Sequence, residues 1–114
     1  MRDNLNDSVR LELILDAIAN IEEYLTGTDT YEVFEKNKIL CHAVVYNLQC
    51  IGECVYRLSA EFIAAHDKID WEAIEGLRHV LVHDYYAVNL ETVWNIIKRD
   101  VPFLKQYLMD FLAL

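Results

Sequence analysis

Leu11, Ile14, Ile18, Ile21 and Leu25 recur at alternating spacings of three and four, which places them on one stripe of an α-helix. The pattern predicts a first helix over Ser8–Leu25, capped by Asp7 or Ser8 and closed by Thr26-Gly27. The stretch TDTYEVFE reads as an ordered connection with one helical turn. From Lys38 to Ala65 a second stripe runs through Leu40, Val44, Asn47, Ile51, Cys54, Leu58 and Phe62. It predicts one long helix, a rod of roughly 42 Å at 1.5 Å per residue. Gly52 falls in its middle, where glycine costs about 1 kcal/mol relative to alanine, so the sequence predicts a close helix crossing there.

A third helix begins at Asp70, a good N-cap, with Ile69 and Ile74 at the spacing of a hydrophobic staple. The device recurs at Asn89, flanked by Val88 and Val93, and predicts a helix through about Arg99 whose last turn carries Lys98 and Arg99. Pro102 suits the first turn of a last helix through Phe111. With one proline and three glycines in 114 residues, the chain lacks the frequent turns of a sandwich or barrel. The fold class is all-α, an up-and-down bundle of four to five helices.

Length and composition narrow the picture. One domain over residues 1–114 is expected, and 54% hydrophobic residues with 25% charged describe a globular chain. The polar N-terminus has no apolar segment of signal-peptide type, and no long uninterrupted apolar run suggests a membrane span. Cys41, Cys50 and Cys54 are odd in number and form no C-x-x-C pair, which favours reduced thiols and a cytoplasmic location. Cys50 and Cys54 read as small core residues. The net charge of −9 argues against broad binding to nucleic acid, so any RNA contact needs a local basic patch.

The stretch GLRHVLVHDYY concentrates the candidate chemistry. Trp71, Ile74, Arg78, Leu81 and Tyr85 share a helical stripe, so Arg78 needs a carboxylate, a cleft or a partner subunit. Glu53 on the long helix is a candidate counter-ion. Arg78 and His83 are five apart, about 140° around a regular helix. They converge only if the helix ends near His83 or if two copies meet across a twofold axis. A histidine near neutrality can move the proton of a ribose 2′-hydroxyl or of a leaving oxygen, and arginine can hold the phosphate. A structural reading stands beside this one: an Arg–carboxylate pair and a helix-end histidine. His79 and His83 also have the i, i+4 spacing of two metal ligands, with Asp84 nearby, but no second ligand cluster accompanies them.

Arg78-His79-Val80-Leu81-Val82-His83-Asp84-Tyr85 resembles the R-x-x-x-x-H-x-Y signature of HEPN domains. IGECVYRLS, IDWEAIEGLRHVLVHDYY and VNLETVWNIIKRDVPFLK resemble successive segments of that family's HepT toxin branch, over roughly residues 8 to 110. The resemblance implies a single HEPN domain that forms a homodimer with the two motifs lining a shared cleft. It further implies a metal-independent endoribonuclease that needs no cofactor and acts as a toxin on RNA. Arg78 and His83 would be catalytic, with His79 and Tyr85 supporting or contacting RNA. The implied partner is a minimal nucleotidyltransferase antitoxin that transfers AMP from ATP to Tyr85. His79 stands where this branch commonly has asparagine, and Asp70 where it usually has proline. The alternative is a noncatalytic helical partner of a nucleotidyltransferase.

Overall fold

The carboxamide oxygen of Asn6 accepts the Val9 N–H at 3.0 Å, so Asn6 rather than Asp7 or Ser8 caps the first helix, α1 (Asp7–Tyr24). Asp7 thereby becomes the first helical residue, and its carboxylate is used elsewhere. A computed structural model describes residues 6–83 and 89–113, with backbone alone for residues 79–83. The chain leaves α1 through Gly27, whose φ of 83° lies in the left-handed region that glycine tolerates. The expected turn follows as α2 (Tyr31–Lys36), capped by Thr30. Asn37 ends α2 and caps α3 (Lys38–Tyr56) by accepting the Leu40 N–H at 3.0 Å.

α3 is the central rod, packed against α1 on one side and α5 on the other. Leu40, Val44, Leu48 and Ile51 are buried along it, opposite Leu11, Ile14, Ile18 and Ile21 of α1. Asn47 is a polar residue on this stripe, and both its polar ends are used. Its side-chain oxygen accepts from Asn20 at 3.2 Å, and its NH2 donates to the Ala43 carbonyl at 2.9 Å. By length and composition α3 could cross a membrane, with a mean hydropathy of 1.2. However, 56% of that window is buried inside the bundle, as in a core helix.

The expected single rod from Lys38 to Ala65 is instead two helices, α3 and α4 (Ala60–Ala65). The break lies at Arg57–Ser59. Ser59 caps α4 by accepting the Phe62 N–H at 3.0 Å. Asp7 holds Ser59 in turn, accepting its N–H at 2.9 Å and its hydroxyl proton at 2.6 Å. Leu58 and Phe62 remain buried across the break, so the apolar stripe stays in phase and conceals it.

α5 (Trp71–His83) starts as expected, with Asp70 accepting the Ala73 N–H at 3.2 Å. Trp71 is buried and donates its indole N–H to the His66 carbonyl at 2.7 Å. Asn89 caps α6 (Leu90–Asn95) through the Glu91 and Thr92 N–H groups. The staple proposed between Val88 and Val93 involves a residue outside the described set. Pro102 falls in the first turn of the last helix, as expected, but no break in the helical backbone precedes it. Asp100 is helical (φ −74°, ψ −40°), and α6 runs through a π-helical turn, Ile96–Asp100, into α7 (Val101–Leu112). Pro102 has no N–H for the α-helical ladder. The widened turn carries the chain past it, with the Val101 N–H bonding the Ile96 carbonyl. α1, α3, α5 and the α6–α7 rod form an all-α bundle among the described residues.

Candidate functional site

Gly52 and Arg78 meet where α3 and α5 cross. A Cβ placed on Gly52 would lie 2.8 Å from the Arg78 backbone nitrogen and 3.0 Å from the Ile74 carbonyl oxygen. Those distances leave no room for a side chain, so this glycine allows the two backbones to touch. The contact seats Arg78 beside Glu53 and Tyr56 of α3.

The Arg78 guanidinium lies over the Tyr56 ring, its Cζ 3.7 Å from the centroid. This is a cation–π arrangement in which the ring face attracts the charge and fixes the plane of the fork. Nη1 of Arg78 is 3.8 Å from Oε1 of Glu53, beyond ordinary hydrogen-bond length. The other Glu53 oxygen accepts a hydrogen bond from Nε of Arg57 at 3.1 Å. Glu53 therefore bonds Arg57 directly and attracts Arg78 at longer range. Nε of Arg78 is buried and finds no acceptor among the described residues. The Arg78 side chain as a whole is 30% exposed, which leaves part of the cation open to solvent.

The other sequence-predicted residues are placed less completely. The α5 backbone is helical at both Arg78 and His83, so the two positions lie about 140° apart around the axis. The side chains of His79 and His83, and the whole of Asp84 and Tyr85, lie outside the described residues. Among the described residues there is no group of three or more His, Cys, Asp or Glu arranged to hold a metal.

Cys41, Cys50 and Cys54 are free thiols. Cys41 is buried and directs its thiol to the Phe34 carbonyl at 3.2 Å. Burial pushes the Cys41 and Cys54 thiols above their ordinary value, which disfavours the nucleophilic thiolate and suits core residues. Tyr46, exposed on α3, has its pKa raised by its hydrogen bond to Cys50 and then by the charge of that thiol. A groove of about 340 Å³ lies between the start of α5 and α7, lined by Ile69, Ile74, Leu77, Phe103 and Leu104. Arg78 does not line it, so this groove is separate from the candidate site.

Sequence reasoning identified Arg78 and Glu53 but missed Tyr56 and Arg57. The signal was present: Arg57 follows Glu53 by four residues, the spacing of a helical ion pair. Tyr56 is one turn beyond Gly52, on the side where the crossing helix must lie.

A protein-family model described as HepT-like, Ribonuclease HepT-like, matches residues 14–111. The chain belongs to this family. A relative from Caldanaerobacter subterraneus subsp. tengcongensis, provisionally named an RNase, is 35% identical over 102 residues, covering 90% of each chain. A relative from Thermococcus cleftensis, provisionally named ribonuclease HepT, is 35% identical over 95 residues, 83% of this chain and 86% of its own length. A Methanocaldococcus jannaschii protein is named as a gamma-glutamylcyclotransferase and, provisionally, an RNase. It is 33% identical over 104 residues, 91% of this chain, but this chain spans 46% of its length. No solved structure matches. These names attach ribonuclease activity to the HepT-like family, and the all-helical fold described above agrees with that membership.

Proposed function

We propose that this HepT-like protein is a metal-independent endoribonuclease whose working site is shared between two copies of the chain. His83 takes the proton of a ribose 2′-hydroxyl, and the resulting oxygen attacks the adjacent phosphorus. The bond to the 5′ oxygen breaks, and that oxygen receives a proton from solvent or from an imidazolium such as His79. The products are a 2′,3′-cyclic phosphate and a 5′-hydroxyl. Arg78 binds the phosphate and offsets the charge that develops on its oxygens. Tyr85 contacts RNA and is also where a cognate nucleotidyltransferase antitoxin attaches AMP, a bulky anion that would exclude substrate.

The observation that carries this reading is a partly exposed guanidinium, oriented on a tyrosine ring, with the Glu53 carboxylate 3.8 Å away. Arg78 and His83 lie about 140° apart on α5 within one copy, and a homodimer is one arrangement that brings them to a single phosphate. The homodimer is supported by an exposed apolar stripe on α3, where Ile39 is 84% and Tyr46 62% exposed.

The test is cleavage of RNA by purified protein in EDTA, with Arg78→Ala and His83→Ala as controls. The expected outcome is cyclic-phosphate products from the wild type and a loss of at least about 100-fold in each variant, the scale of general acid–base and charge-stabilising groups. Full activity in both variants would defeat the assignment. Folded, RNA-binding protein that cleaves nothing would favour a noncatalytic partner of a nucleotidyltransferase.

A further inference from the structure

The Arg78 guanidinium is oriented by an aromatic ring and attracted by a carboxylate that is bonded to a different arginine. A catalytic arginine faces two opposing requirements. It must be held, because a freely rotating four-bond side chain offers little pre-organised charge. It must also stay available, because a close carboxylate would occupy its donors and cancel its charge before phosphate arrives.

We infer that Tyr56 and Arg57 are positioning residues for Arg78: Tyr56 holds the guanidinium in plane, and Arg57 draws Glu53 away so that the cation remains free for phosphate. The inference rests on the nuclease reading for its consequence, though the arrangement itself can be observed without RNA.

Three distances support the division of labour. Cζ of Arg78 is 3.7 Å from the Tyr56 centroid, close enough for the ring to fix the plane of the fork. Glu53 is 3.1 Å from Arg57 but 3.8 Å from Arg78, so its stronger bond is to the residue outside the motif. The Arg78 side chain is 30% exposed although its Nε is buried, so the stem is enclosed while the side chain still reaches solvent. Arg57 itself is exposed, so its pair with Glu53 lies at the surface.

The two roles fail differently. In Tyr56→Leu the guanidinium loses its platform, so kcat falls by about tenfold, the range of a partly desolvated cation–π contact, while KM changes little. Tyr56→Phe keeps the ring and stays within about twofold of wild type, because the hydroxyl has no part in the contact. In Arg57→Gln the Glu53 carboxylate is released toward Arg78, and KM rises by roughly three- to fivefold, the scale of a partly exposed ion pair. Adding Glu53→Gln to Arg57→Gln removes the competing carboxylate and restores KM. A merely structural role for Arg57 would not be rescued by that second change.

The experiment combines steady-state cleavage of a defined oligoribonucleotide with side-chain NMR of Arg78 in RNA-free protein. The expected result is a ring-current shift of the Arg78 Hδ resonances in wild type and Tyr56→Phe, abolished in Tyr56→Leu. Circular dichroism and melting curves identify any variant that fails to fold. Absence of the shift in wild type overturns the inference whatever the cleavage data show. So does wild-type kcat in folded Tyr56→Leu, or failure of Glu53→Gln to rescue Arg57→Gln. A clear shift in a wild-type protein that cleaves no RNA would leave the positioning intact and bring down the nuclease proposal alone.

Discussion

Gly52 shows how one missing side chain positions a functional one. Its absent Cβ would meet the backbone of α5 at Arg78 and Ile74, and a helix backbone cannot rotate aside as a flexible side chain can. Gly52→Ala therefore forces α3 and α5 apart, despite alanine's higher helix propensity. The expected cost is about 1–3 kcal/mol, the usual range for overpacking a tight contact, read as a lower midpoint in chemical denaturation. Since the clash falls on Arg78, cleavage should drop further than stability alone explains. A variant as stable and active as wild type would mean the helices separate freely. The crossing itself was legible in the sequence, because a glycine inside an apolar helical stripe has few other uses. Arg78 and Glu53 were legible from stripe position and charge. Tyr56 was not, because an exposed tyrosine on a helix carries no sign of what lies over it until the partner helix is placed.

At the scale of elements, periodicity located the helices well and their ends less well. Leu58 and Phe62 are both buried, so the stripe of α3 continues into α4 without a slip in phase, and a pattern method reads one helix. The interruption depends on a residue 52 positions away, Asp7, which binds both the backbone and hydroxyl of Ser59. Such a cap is invisible to any local window. The same limitation applies at Pro102, where a π turn lets the helix continue through a residue that usually marks a start. The Asp7 contact has a measurable consequence. Asp7→Ala removes two hydrogen bonds and leaves the Ser59 cap unsupported, for an expected loss of about 1–3 kcal/mol. Because these bonds tie the start of α1 to the start of α4, hydrogen exchange should accelerate first in α4. Uniform acceleration across the bundle would indicate that Asp7 contributes only to global stability.

For the whole molecule, the central question is how an acidic chain brings enough positive charge to an RNA phosphate, and how two residues 140° apart on one helix reach it. The proposed twofold dimer would answer both, each cleft drawing Arg78 from one copy and His83 from the other. Complementation tests this directly. On the proposed mechanism Arg78→Ala and His83→Ala proteins are each expected to be inactive as homodimers, whereas a mixed dimer would retain one intact arginine and one intact histidine, on opposite copies. If the cleft is composite, those two residues complete one of the two sites. Co-refolding equal amounts gives about half mixed dimers by random pairing, so roughly a quarter of wild-type activity should return. Mixing without subunit exchange restores none and serves as the control for contaminating nuclease. If each copy carried its own complete site, every chain in the mixture would lack one essential group and no activity would reappear under any mixing protocol. Recovery therefore requires that the arginine and the histidine acting on one phosphate come from different chains.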